Sequence, residues 1–546
     1  MSARELITDH LDLWTGAVTH KSGSGRNASG KNGKIELTGI KKLRELVLKL
    51  GFSGFLTDDT PKAWESVTLG DIGKWGSGGT PTKSRREFYG GDIPWLVIGD
   101  LNDGIVRGAE SCITEEGLEN SSAKLVPPGA LLIAMYGSIG KLGITEITCA
   151  TNQAIAHCIP EKTKIDLRFL FFFLLEKRES LLDMGQGLAQ QNISQRILKR
   201  TKLDLPSLDV QHRIVEKIYE LMALCDRLEQ QVGDQLEAHE VLVDTLLDAL
   251  TRSTDAAELA ENWVRVAEHF DTLFTTEASI DKLKKTILQL AVMGRLVEQN
   301  PNAEPANSLL ARLSEERQAW LEGKKDKDPE CATMLRKLKK LSSPNPPFDL
   351  PSGWEAAHLI QLCKILVDCH NKTAPYTVSG IPIIRTSNIR ERKFRLNDVK
   401  YVSKETYKYW SRRCPPQPKD IIFTREAPMG EAAIIPEDKR WCLGQRTMLI
   451  RPMLNHINEE YLLLALTEPN LLNRATEKAI GSTVKHLRVG DVEALAIPVP
   501  PLNEQHRIVE KVNELMALCD QLKTRLSECG KTRSQLAETV VEQAVS

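Results

Sequence analysis

Three places in the chain hold residues that invite chemistry. Gly25–Asn32 reads GRNASGKN, close to a phosphate-cradling loop. Asn32, however, stands where a Ser or Thr hydroxyl should hold the metal, with no predicted strand before it and no immediate helix after it. Asn345–Phe348 reads NPPF, a tetrapeptide that serves adenine-N6 methylation: the Asn side chain and a backbone carbonyl grip the target amino group. That reaction also needs an AdoMet pocket, usually a strand followed by a Gly-rich turn such as FxGxG, and no such stretch lies at a sensible spacing. An autonomous adenine-N6 DNA methyltransferase is the competing reading that this motif supports; the other is a linker. His212 and His506 recur in matching contexts, but without His or Cys at ligand spacing they read as surface or interface histidines. No Ser/His/Asp or paired-carboxylate constellation rises above background.

The remaining chemistry is recognition of a polyanion. Arg385–Arg451 carries 16 Lys and Arg against 8 acids, with Tyr401, Tyr407, Tyr409 and Trp410 interleaved. Concentrated cations supply the phosphate part of DNA binding. Arg385, Asn388, Arg390, Arg392, Arg425, Gln445 and Arg446 are residue types that grip guanine or adenine edges bidentately, and Lys485 extends the set. The alternative is a solvated charged face. A weaker cluster lies at TPTKSRREFYGG, where Thr80, Thr82, Lys83, Arg85 and Arg86 follow a flexible GSGG that would let backbone approach a groove or phosphate. Tyr136, Ser138 and Lys141 lie in a second Gly-rich loop, YGSIGK, which aligns with REAPMGE in the basic segment. Equivalent loops are therefore expected to carry the base contacts, with a structural turn as the other reading of each.

These segments need elements to hold them, and the chain states those elements twice. QHRIVEKIYELMALCDRL (Gln211–Leu228) returns as QHRIVEKVNELMALCDQL (Gln505–Leu522). Ile214, Ile218, Leu221, Cys225 and Leu228, and again Ile508, Val512, Leu515, Cys519 and Leu522, are spaced 4, 3, 4, 3. That is a helix with a two-position seam of the coiled-coil or subunit-interface type. Asp209 and Asn503 read as N-caps, and the helical pattern runs on to about Leu250 and to the C-terminus. A second pair, Ile40–Leu56 and Ile280–Leu296, predicts a shorter apolar-striped helix closing near Gly51 or Gly54 and near Gly294.

Between them lie β-rich stretches with echoes. AWESVTLGDI faces GWEAAHLIQL, GDIPWL faces SGIPII, PPGALLIAMYGSIGKLGI faces QPKDIIFTREAPMGEAAI, and LDLPSL faces IPVPPL. The expected fold is α+β: two mixed α/β domains on a repeated helical frame. The segments are 1–58 (helical), 59–207 (first domain), 208–297 (central helices), 298–349 (charged helix and linker), 350–501 (second domain) and 502–546 (last helix). Tyr219 and Asn513 are mismatches inside otherwise matched helices.

The totals fit several globular cores: 546 residues, 41% hydrophobic, 27% charged, net charge −1. Eleven cysteines occur without a CxxC pair, and Cys225 and Cys519 fall on the apolar helix face, so a reduced compartment without a disulfide framework is expected. The first residues, MSARELITDHLDLW, lack a signal-peptide core, and the longest apolar run, FLFFFLL, is far short of a membrane span.

Taken together, SGSGRNASGKNGKIELTGIKKLRELVLKL, GGTPTKSRREFYGGDIPWLVIGDL, EPANSLLARLSEERQ leading to FDLPSGWE, and the twin EQHRIVEKV-type helices after PVPPL resemble the specificity subunit of type I restriction-modification systems. The resemblance spans nearly the whole chain. It implies two target-recognition domains, each reading one half of a bipartite, asymmetric double-stranded DNA target. It implies long helices, packed antiparallel as a coiled coil, that separate the readers and seat two modification (methyltransferase) subunits. It also implies two motor-nuclease restriction subunits, with AdoMet, ATP and Mg2+ on the partners and neither cofactor, metal nor catalytic centre in this chain. A cytoplasmic bacterial or archaeal protein follows. One feature departs from expectation: between Thr80 and Leu142 the first domain has 6 Lys and Arg against 8 acids, so its DNA face is a small patch or leans on the rest of the complex.

Overall fold

A computed structural model describes residues 7–20, 35–57, 64–184, 192–370, 372–426, 428–476 and 487–544. Two compact units emerge. One holds the described residues up to Leu236 together with those from Glu528 onward; the other holds Glu237–Ser527. Among the described residues no helix is long and apolar enough to cross a membrane.

The first unit starts with helix α1 (Thr38–Phe52), whose Ile40, Leu43, Leu46, Val47 and Leu50 are buried. Gly54, just past its end, takes φ +80, the left-handed turn that only glycine adopts without strain. A mixed sheet follows, built from β1 (Gly73–Ser77), β2 (Gly104–Val106), β3 (Leu131–Ala134), β4 (Leu142–Thr145) and β5 (Ile155–Pro160) in the order β1-β5-β3-β4-β2. Only the β4–β2 pair is parallel. Helix α2 (Leu167–Glu176) then packs its phenylalanines into the same core, and helix α3 (Leu208–Arg252) leaves the domain.

The second unit repeats the plan. Helix α4 (Glu277–Val292) ends at Gly294, φ +72. The sheet is β6 (Cys363–Asp368), β7 (Ile421–Thr424), β8 (Ala432–Ile434) and β9 (Thr447–Pro452), in the order β6-β9-β7-β8 and antiparallel throughout. Helix α5 (Glu459–Leu466) stands where α2 stands, and α6 (Leu502–Gln543) where α3 stands. The echoes in sequence become equivalent pairings. Glu65–Thr68 pairs with Lys202–Leu205, and Glu355–His358 with Ala496–Val499, each ladder closing its domain at the foot of a long helix. The β3–β4 and β7–β8 hairpins come from the third echo.

The helical frame shows what the seam residues face. Ile214, Ile218 and Cys225 are at most 1% exposed and share a core with Ile40, Leu43 and Leu50 of α1 and with Phe169 of α2. A methyl added at Gly51 would come within 2.9 Å of Ile218. Leu221 and Leu228 line the edge of that core. Ile508, Val512 and Cys519, with Leu515 and Leu522 beside them, pack the same way against Ile280, Leu283 and Ile287 of α4. The 4, 3, 4, 3 seam is therefore filled by the short helix of its own half. The two long helices meet in the same cores: Val232 shares one with Ala537 and Val541 in the first unit, and Val243 and Leu247 share one with Met516 and Cys519 in the second.

Ion pairs repeat the pattern. Arg44 of α1 meets Asp226 at 2.7 Å and Lys42 meets Glu538 at 3.3 Å; Lys284 of α4 meets Asp520, and Lys282 meets Asp244 at 2.7 Å. Each short helix thus touches both long helices through equivalent residues. These pairs are half-exposed and contribute about 0–1 kcal/mol each; the apolar face supplies more, at about 1.5–3 kcal/mol per buried side chain. The helices begin at Leu208 and Leu502, so Asp209 and Asn503 lie in the first turn instead of capping it. There Asp209 complements the helix dipole.

Candidate nucleic-acid interface

In the first domain three segments meet at one end of the sheet: the loop after β1, the β3–β4 turn and the turn before β5. The loop after β1 is anchored by Gly79 N–H to Thr151 O (2.9 Å), Trp95 Nε1 to Gly79 O (3.0 Å) and the Tyr89 hydroxyl to Pro81 O (2.6 Å). Gly78 and Gly79 are buried, and a Cβ at Gly78 would lie 1.9 Å from Thr151 O. These glycines permit close packing inside the domain and are not an open approach to a phosphate, as the sequence suggested. Beyond them Thr82, Lys83, Arg85 and Arg86 are exposed, with Arg85 over the Phe88 ring at 5.5 Å. Thr80 is half-buried and donates its hydroxyl to Gln153 Oε1 in the turn before β5. Met135 N–H bonds Ala154 O (2.7 Å), which brings the β3–β4 turn alongside. In that turn Tyr136 and Ser138 are exposed, whereas Lys141 folds back toward Ile98 O at 3.5 Å.

The second domain assembles the same end. The loop after β6 offers exposed Thr373, whose hydroxyl donates to Gln445 Oε1 (3.2 Å) in the turn before β9. Arg446, next in sequence and at φ +70, is exposed and pairs with Glu426 of the β7–β8 turn at 2.8 Å. Beside this group the helix Lys404–Trp410 and the residues after it present Lys404, Lys408 and Arg412 four apart. Among the described residues none of these three has a carboxylate within ion-pair reach. Arg412 lies over the Tyr409 ring at 4.0 Å, and His370 stacks on Trp410 at 4.6 Å. Burial, and after it the Arg412 and Lys372 charges, hold the His370 imidazole below its ordinary value.

Several nominated readers serve the fold. Arg385 pairs with Asp398 (3.0 Å). Asn388 accepts from Arg385 N–H (3.1 Å) and donates to Arg395 O (3.0 Å), and at 2% exposure its amide presents no edge to a base. Arg390 donates to the carbonyls of Thr386 and Ile389. Arg425 is 8% exposed, pairs with Asp368 at 3.0 Å and donates to Leu487 O. Arg392 is half-buried at φ +62, and burial pulls its guanidinium down against Asp520 and Glu391. Lys485 and the GRNASGKN stretch lie outside the described residues. Asn345–Phe348 lies in an irregular stretch ahead of Glu355–His358, with Phe348 packed partly into the core. Cys225 and Cys519 are core residues, and burial raises the Cys225 thiol to about 11.

Three sets of residues are not singled out by the sequence. Gln153 and Thr373 are one; the glutamine's signal is the shared pattern NQAIAHCIP and GQRTMLIRP, each with a Gln ahead of a strand ending in Pro. Lys404, Lys408 and Arg412 are the second, submerged among the cations of Arg385–Arg451. The third is Gln211 and Gln505, both 0% exposed, which open the two repeats. Gln211 Oε1 accepts from Asp166 N–H (2.8 Å), and its Nε2 donates to Lys164 O and Pro206 O. Gln505 does the same with Asn458 (2.8 Å), His456 and Pro500. Asp166 and Asn458 are the N-caps of α2 and α5. His212 and His506 face those caps from outside, at 3.7 Å from Asp166 and 3.0 Å from Asn458. Tyr219 packs on Phe172 of α2 (5.1 Å) while Asn513 donates to Glu460 of α5 (3.2 Å), so the mismatched pair faces each helix's own domain.

The chain is similar to known proteins along its whole length. The chain is 31% identical to the type I restriction enzyme EcoAI specificity subunit of Escherichia coli, and 28% identical to the EcoEI specificity subunit of the same species, each match covering 100% of both chains. A solved HsdS subunit from Thermoanaerobacter tengcongensis aligns over 88% of this chain and 96% of its own, at 15% identity and TM-score 0.40. The profile of the type I restriction modification DNA specificity domain matches twice, at residues 61–238 and 351–528. Each match takes in one mixed domain and about the first two thirds of the long helix after it, and the chain belongs to this family of type I restriction-modification DNA specificity proteins.

Proposed function

We propose that this chain is the sequence-specific DNA-binding subunit of a type I restriction-modification assembly, in which each domain reads one half of a bipartite, asymmetric duplex target. The observation that carries this is the repetition of one loop set, at one sheet end, in two domains of otherwise unlike sequence. A shared frame with divergent loops is what two half-sites read by one scaffold require. Exposed Lys83, Arg85 and Arg86 in one domain, and Lys404, Lys408 and Arg412 in the other, supply phosphate contacts that set position without reading sequence.

The partners in this reading are two modification subunits, which bring AdoMet and methylate adenine, and restriction subunits that use ATP and Mg2+. This chain supplies recognition and no catalytic step. Leu242 and Leu536 occupy equivalent positions of the repeat and are each 51% exposed, which gives two identical partners the same apolar foothold twice. The test is binding of the assembled complex to duplex DNA at several salt concentrations with competitor DNA. Sequence-selective binding that persists under competition supports the reading; purely salt-dependent, sequence-blind binding refutes it.

A further inference from the structure

Thr80–Gln153 and Thr373–Gln445 are the same constellation built twice. In each domain the threonine comes from the loop after the first strand of the larger sheet, and the glutamine from the turn before the strand that pairs with it. The backbone fixes both turns alike: Asn152 N–H bonds Leu96 O (2.9 Å), and Gly444 N–H bonds Ile384 O (2.7 Å). Little else in these loops is shared, so the pair has survived where its surroundings changed. It is not a packing device, because Gln153 and Thr373 are exposed.

The chemistry of the pair is directional. The threonine hydroxyl occupies one lone pair of Oε1 and holds the amide in one orientation. The second Oε1 lone pair and both Nε2 hydrogens have no protein partner among the described residues. A glutamine amide presented in that way matches adenine in the major groove: N6–H donates to Oε1, and N7 accepts from Nε2. Orienting the amide before binding also reduces the side-chain entropy lost on contact.

We propose that Thr80–Gln153 and Thr373–Gln445 are equivalent base-reading pairs, one per half-site, each directed at an adenine edge. The proposal rests on the reading of the chain as a DNA specificity subunit. The domains then differ in what flanks the shared reader: Tyr136 and Ser138 in the first, Arg446 in the second.

The test selects preferred sequences from a random-sequence duplex DNA library with the complex of this chain and its modification partner. Gln153→Ala should lose discrimination at one base pair of one half-site, by about 5- to 150-fold, and leave the other half-site intact. Gln445→Ala should do the same in the opposite half-site. Gln153→Glu, which keeps size and removes the donors, should shift that position toward cytosine, whose N4 donates to a carboxylate. Variants that select the wild-type motif, or that weaken binding evenly on all sequences, overturn the proposal while the specificity-subunit reading stands. A wild-type complex that selects no motif overturns both.

Discussion

Gln505 accepts a hydrogen bond from the backbone N–H of Asn458 at 2.8 Å, and Gln211 accepts one from Asp166 at the same distance. These buried side chains bolt the foot of each long helix to the N-cap of a domain helix. They explain why both repeats begin with glutamine: the bolt fixes the angle at which a variable domain leaves a constant helix. Leucine at either position would leave an amide N–H and two carbonyls unpaired. Gln505→Leu should destabilise the second unit, and Gln211→Leu the first, by roughly 2–4 kcal/mol. Amide exchange localised to α5 or α2 checks this, and unchanged protection would refute it.

The arginines divide by burial. Arg425 pairs with Asp368 where both side chains are nearly buried, 10% and 12% exposed. Arg425→Ala strands a buried carboxylate and should cost roughly 3–5 kcal/mol of stability. Arg446 is 56% exposed, so Arg446→Ala should change stability by less than about 0.5 kcal/mol. Its loss should appear in DNA binding instead. Thermal unfolding of the two variants separates the cases.

Glu504 has a valine, Val210, at the equivalent place of the first repeat. Burial lifts the Glu504 carboxyl above its ordinary 4.5, against hydrogen bonds from Trp354 (3.1 Å) and Gln299 (2.8 Å). Between 4.5 and the raised value the folded chain holds a proton that the unfolded chain has released. Stability from this group is therefore full below that window, falls as pH rises through it, and levels off above. Glu504→Gln should match the wild type in acid and exceed it at neutral pH. A melting temperature that rises with pH in the wild type relative to the variant would contradict this.

The resemblance to specificity subunits implies long helices that space the two readers. Seven residues, two turns, inserted in register into both α3 and α6 add about 10 Å at ~1.5 Å per residue. That is about three base pairs at ~3.4 Å each. The preferred gap between half-sites should lengthen by about that amount with the half-sites unchanged. Selection of the original gap would remove the helices from that role.

Leu242→Asp and Leu536→Asp put a charge on the two equivalent exposed positions. Each alone should weaken attachment of one modification subunit, and both together should leave the chain folded without either. Native mass measurement of the complex reads the stoichiometry directly.

The frame was legible in the sequence because its signals are local. The helical period of Ile214–Leu228, its near-identical return and the glycines at 54 and 294 all act within a few residues. The identity of what fills a seam is not local: the spacing marks an apolar face, and only the fold shows α1 and α4 lying on it. The site was legible by segment and not by residue. An excess of arginine in Arg385–Arg451 marks a cationic domain, but Arg425 finds Asp368 and Arg413 finds Glu330 from distant parts of the chain. Asn388 is a base-reading type by composition and a backbone staple in place. Gln211 is not legible in the sequence because a polar residue in a helix's first turn ordinarily faces water.

If one chain joins two independent readers, mapping modified bases across the genome of the host strain, with and without this gene, reveals it. The expected result is a single bipartite, asymmetric motif that disappears with the gene. A motif that persists without the gene, or a single uninterrupted motif, would refute the two-reader role.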